Sequence, residues 1–160
     1  MKTSFDKIMN FILQSEGGYV NNLNDPGGET KYGISKRQYP TLDVKSLTEE
    51  QAREIYRTDY WNKIKGDELP YPLDMCVMDM AVNAGVSASS GVLKLSKDYK
   101  SFLLLRVNHY ISITQKNPKL KEFFFGWIIR VNNLRKLCEG YIGESGLSGF
   151  CLYPCFAWNR

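Results

Sequence analysis

The chain has 160 residues, 43% of them hydrophobic and 24% charged, with a formal net charge of +4. That fits one domain with one core and excludes a disordered chain. No apolar run approaches the ~20 residues that cross a bilayer, so stable membrane insertion is not expected. No basic run is longer than Lys36-Arg37, so nucleic acid is not an expected partner. The mild positive charge suits encounter with an anionic polymer or simply a solubilising surface.

In chain order, the first predicted element is a helix. Phe5, Ile8, Met9, Ile12 and Leu13 recur with the spacing of one buried helical face. Asp6 and Asn10 interrupt any signal-peptide core, so none is expected. Glu16 follows Phe5 by eleven residues, which at about 100° per residue sets it roughly 20° from Phe5 around the axis. A carboxylate therefore closes the apolar face at the edge of the core. Desolvation there raises a carboxyl pKa, as a general acid near neutral pH requires. The alternative is an ordinary solvated side chain in a last turn.

Gly17-Gly18 stops the helix as a C-cap glycine does. Asp25-Pro26-Gly27-Gly28 is a strong turn signal. Tyr19-Val20 before it and Thr30 to Ile34 after it suit short strands. The expected unit is a small β-hairpin that folds back past the helix end and brings Asp25 and Thr30 towards Glu16. Asp25 either contributes a carboxylate to that site or caps the turn.

Thr48-Glu49-Glu50-Gln51 forms a capping box that opens a helix running to about Ile64, with Ala52, Ile55, Tyr56 and Tyr60 facing inward. Trp61 either packs in the core or lines a cleft, where an aromatic ring stacks on sugars. Leu69-Pro70-Tyr71-Pro72 breaks the chain. Leu73 to Ala84 is apolar nearly all round, the mark of a central buried helix. Val86 to Lys100 is rich in Ser and Lys. Phe102 to Thr114 is a further helix, and after Pro118 the residues Leu120, Phe123, Phe124, Trp127, Ile128, Val131, Leu134 and Cys138 keep helical spacing. Gly126 within that helix indicates close packing. The expected organisation is a domain over 1–139 and a Gly/Cys/aromatic tail over 140–160, packed on the domain or extending from it. Cys76 and Cys138 fall in helical patterns as core thiols. Cys151 and Cys155 either pair with each other or stay reduced. No cysteine pair has the C-x-x-C spacing of a zinc site, and neither metal nor cofactor is expected.

The run Glu16-Gly-Gly-Tyr19-Val20-Asn21, then Asp25-Pro-Gly-Gly-Glu-Thr30, then Gly33-Ile34, resembles the N-terminal signature of glycoside hydrolase family 108, the N-acetylmuramidases of phages and bacteria. Tyr56-Arg57 with Tyr60-Trp61, Asp79 to Gly85, and Gly126-Trp127 with Arg130-Val131 are similar to further segments of that family. The stretch after Gly85 is shorter than is usual there. The resemblance implies a mainly α (α+β), lysozyme-like domain with one small hairpin beside the cleft. It implies Glu16 as catalytic acid, Asp25 with Thr30 positioning water, and Tyr19, Tyr32, Asn83 and Trp61 as substrate contacts. The implied substrate is bacterial peptidoglycan. A monomeric enzyme made in the cytoplasm would reach it in the periplasm or wall by a holin or a secretion system.

Two other readings compete. A wall amidase or peptidase needs several metal ligands or a Cys–His pair, and the chain has one histidine, His109, in mid-helix. A non-catalytic relative that binds wall or assists secretion would keep the fold without turnover.

Overall fold

The computed structural model describes residues 3–16, 20–21 and 29–140. Helix α1 spans Ser4–Glu16. It opens on a reciprocal pair: the Thr3 backbone N–H and hydroxyl donate to Asp6 Oδ2, and the Asp6 N–H donates to Thr3 Oγ1, which satisfies N–H groups that a first turn leaves orphaned. Phe5, Ile8, Met9 and Ile12 of the predicted face are buried, Leu13 is partly buried, and Phe11, which the sequence reading did not include, is buried with them.

Three short antiparallel strands follow, β1 (Val20–Asn21), β2 (Glu29–Lys31) and β3 (Ile34–Ser35), in that spatial order. The sequence anticipates one hairpin, and the structure has a second. Lys31 pairs with Ile34 across Tyr32-Gly33, whose φ angles are 53° and 76°. Two consecutive positive φ values make the tight turn that matches strand twist. Tyr32 is therefore a turn residue where a strand residue was expected.

Helix α2 (Glu49–Tyr56) starts at the capping box of Thr48 and Gln51. It then widens into a π turn over Arg57–Trp61, marked by the Asn62 N–H donating to the Arg57 carbonyl at 2.9 Å. The chain leaves through Lys65, left-handed at φ 55°, and a short 3₁₀ turn at Gly66–Glu68. Helix α3 (Leu73–Ala84) is buried on every side through Asn83, as its nearly all-round apolar character predicts. The Ser-rich stretch after it is a helix too, α4 (Val86–Leu95). Its Ser89 is buried and donates to the Val77 carbonyl at 2.7 Å. Helix α5 (Tyr99–Lys116) is capped by Asp98 and Ser101. After a 3₁₀ turn at Pro118–Leu120, helix α6 runs over Lys121–Cys138, with Gly126 and Trp127 buried. The chain is thus mainly α with one small sheet, in agreement with the sequence reading. The tail from residue 141 lies outside the described residues.

The packing fixes helix directions. Ser4 lies close enough to Asp74 to oppose the rise that burial gives its carboxyl pKa, so the first turns of α1 and α3 adjoin. Further along, the Arg130 guanidinium stands 5.8 Å from the Phe11 ring and bonds Asp79. Helices α1 and α3 therefore run in the same direction and finish on the same side. Helix α2 runs opposite to α1: Arg53 bonds Asn10 at 2.6 Å, while Trp61 meets Phe5 edge-to-face at 5.3 Å.

Candidate functional site

The parallel course of α1 and α3 sets up the site. Helix α1 ends at Glu16, five residues past Phe11, and Asn83 stands four residues past Asp79. At about 1.5 Å per residue these positions reach a similar level. The sheet follows the end of α1 in the chain. Strand β1 begins four residues after Glu16, and Thr30 on the middle strand is paired with Val20 on one side and Ser35 on the other. Thus α1 and α3 end on one side of the molecule, and Thr30 sits on the strand paired with the β1 strand that follows α1. Tyr19 and Asp25 lie outside the described residues.

The turn next to Thr30 is anchored from below. The buried Tyr56 donates its hydroxyl to the Tyr32 carbonyl at 2.9 Å, and Lys31 Nζ donates to the Lys45 carbonyl at 3.0 Å. Tyr32 is half-buried, and Lys31 stands over its ring at 5.5 Å.

Trp61 does not line a cleft. It is 2% exposed, donates from Nε1 to Asp67 Oδ1 at 3.0 Å and lies against Gly66. The π turn is the reason. At 3.6 residues per turn, Trp61 would point about 140° away from Tyr56. A wider turn reduces that rotation and swings the indole onto the inner face.

Asn83 is 6% exposed and belongs to a network that sequence reasoning missed. Its Oδ1 accepts from the Tyr110 hydroxyl at 2.5 Å, and that hydroxyl accepts from Arg106 Nε at 2.8 Å. Arg106 Nη1 is 2.7 Å from Asp79 Oδ2. Arg130 holds Asp79 Oδ1 from Nε at 3.0 Å and from Nη2 at 2.8 Å. The Asp79, Arg106 and Arg130 side chains are at most 1% exposed. Burial pushes the Asp79 carboxyl up, but Arg130 and Arg106 outweigh it and hold the group below the ordinary carboxylate value. Burial raises the Tyr110 phenol, so it stays protonated and donates to Asn83. Trp127 stacks on Tyr110 at 4.8 Å. The three ionised side chains carry a net +1 inside the core and tie α3, α5 and α6 together beneath the Asn83 end of α3. An aspartate amid uninterrupted apolar residues, and an arginine between Trp127 and Leu134, were the available signals.

His109 on α5 is half-buried, with its pKa lowered chiefly by burial and then by Arg106 and Lys116. Among the described residues, no three His, Cys, Asp or Glu side chains converge as a metal site would need, and no helix is long and apolar enough to cross a membrane.

The sequence model described as Glycosyl hydrolase 108 matches residues 9–85, a span holding the end of α1, the sheet and all of α3. Among solved structures, SagA of Brucella abortus is similar over 94% of this chain and 97% of its own, with a TM-score of 0.67 and 25% sequence identity. No curated protein matches. From the end of α1 through α3, residues 9–85 of the chain are thus similar to the glycosyl hydrolase 108 family.

Proposed function

We propose that this chain is a peptidoglycan hydrolase of the N-acetylmuramidase type, cutting the β-1,4 bond between N-acetylmuramic acid and N-acetylglucosamine. Glu16 protonates the leaving oxygen, and Asp25, assisted by Thr30, positions the attacking water. The observation that supports the reading is the parallel course of α1 and α3, which end at Glu16 and Ala84, with Thr30 on a strand paired to the β1 strand that follows α1. These residues fall within the family-matched span. Two carboxyls about 6.5–9.5 Å apart would leave room for water and give inversion, whereas about 5 Å would give retention. Asn83, its Oδ1 held by Tyr110, contributes at the α3 side, with Tyr19 and Tyr32 on the sheet side. The enzyme acts as a monomer in the periplasm or wall, delivered there by a holin or a secretion system, and the net charge of +4 favours encounter with an anionic wall polymer.

The test is mass analysis of digested, purified peptidoglycan. New N-acetylmuramic acid reducing ends are expected. Free amino termini would instead indicate an amidase, and an unchanged polymer a binding protein. Glu16→Gln is expected to lose about 10²–10⁴-fold in turnover with an unchanged melting temperature, and activity within tenfold of wild type would remove Glu16 from the mechanism. Asp25→Asn keeps the shape and the turn-capping ability but removes the charge. A loss of orders of magnitude is expected, and a silent change would reduce Asp25 to a turn cap.

A further inference from the structure

Two thiols meet between α3 and α6. Cys76 lies in the first turns of α3 and is fully buried. Cys138 is the last residue of α6 and is partly exposed. Their Sγ atoms are 3.7 Å apart, which is van der Waals contact between two sulfurs. The residues are 62 positions apart in sequence, and both are free thiols in this structure. We propose that Cys76 and Cys138 are a built-in crosslinking site, whose oxidation ties the end of α6 to the start of α3.

The geometry assigns the order of events. Cys138 is the more exposed of the two residues, so its thiolate attacks a disulfide oxidant, forms a mixed disulfide and releases one thiolate. Cys76 then loses its proton and attacks Cys138 Sγ, and the second thiolate leaves. Two protein thiols and one oxidant disulfide become one protein disulfide and two small thiols, with two electrons passing to the oxidant. The sulfurs must approach from 3.7 Å to about 2.05 Å. Cys138 closes a helix, where few constraints oppose that movement. The bond would enclose α4, α5 and α6 in one loop. If the chain works at the wall, as proposed above, it is reduced at synthesis and meets an oxidising compartment only on delivery. The crosslink itself does not depend on that reading.

The experiment uses the full chain carrying Cys151→Ser and Cys155→Ser, incubated with oxidised glutathione, then denatured, alkylated and mapped by mass spectrometry. A peptide pair linked through Cys76 and Cys138 is expected, with a mass lower by two hydrogens and a melting temperature higher by about 5–15 °C. Cys138→Ser in the same background should abolish both changes. Two alkylatable thiols after oxidation, a stable glutathione adduct on Cys138, or crosslinking only between molecules would each overturn the proposal. None of these readouts involves wall cleavage, so the assignment can fail while the muramidase reading stands, or the reverse.

Discussion

Asp79→Asn tests whether the buried ion cluster supports the fold. The amide keeps the shape of the side chain, so no cavity opens, but two guanidinium groups at most 1% exposed lose the carboxylate charge they share. Three close contacts weaken together: Arg106 Nη1 at 2.7 Å, Arg130 Nε at 3.0 Å and Arg130 Nη2 at 2.8 Å. Breaking a buried pair by removing one partner costs about 3–5 kcal/mol. For a chain of this size, each kcal/mol moves the melting temperature by about 2–4 °C, so the drop should be about 6–20 °C. Thermal and urea melts followed by circular dichroism measure it, and an unchanged urea slope would show that the denatured state is not the cause. The pH dependence supplies a second check. The Asp79 carboxyl has a folded pKa below its ordinary value, so its stabilisation is present above about pH 3.9 and is lost as pH falls through the folded pKa. The deficit of the variant should therefore be full at pH 7 and shrink in strong acid. A melting temperature within 2 °C of wild type at pH 7 would refute the reasoning.

Gly66→Ala would place a Cβ 2.3 Å from Trp61 Cε2 and 2.4 Å from Cδ2, against a ring held by Asp67 and Phe5. A loss of about 1–3 kcal/mol is expected, read from thermal melts, and wild-type stability would show that the indole can move aside. His109 has a folded pKa below its ordinary value because of burial, so its stabilisation is present above about pH 6.5 and is lost as pH falls through the folded pKa. His109→Gln should lose less melting temperature than wild type between pH 7 and pH 5, and equal losses would contradict this.

What the sequence discloses follows from its periodicities. The buried faces of α1 and α6 and the nearly all-apolar α3 are readable because a 3.6-residue repeat maps directly onto burial. Trp61 is not, because one widened turn shifts the phase between Tyr56 and Trp61, and no residue type announces a π turn. Tyr32 reads as a strand residue because its β propensity masks the positive φ that the two-residue turn with Gly33 requires. Helix α4 hides among serines, since the inward role of Ser89 depends on a carbonyl of α3. Arg106 and Arg130 escape because charge is ordinarily assigned to the surface, and only the opposing Asp79, at sequence separations of 27 and 51 residues, explains their burial. Of the site, the α1 end and Thr30 are legible through local signals, whereas the level shared with Asn83 depends on how two distant helices pack.

The composition of α3 gives the ion cluster a second meaning. The helix carries Met75, Met78 and Met80, all fully buried, and methionine adapts to many surroundings. A helix that is apolar nearly all round, with such pliant side chains, has little in its hydrophobic contacts to distinguish one axial position from another. Sliding α6 along it by one turn, about 5.4 Å, would exchange one set of apolar neighbours for another at small cost. The same slip would strand Asp79, Arg106 and Arg130 without their partners. The charges thus serve as an address within a permissive core, fixing where α3 stops relative to α5 and α6, and through that the height at which Asn83 stands.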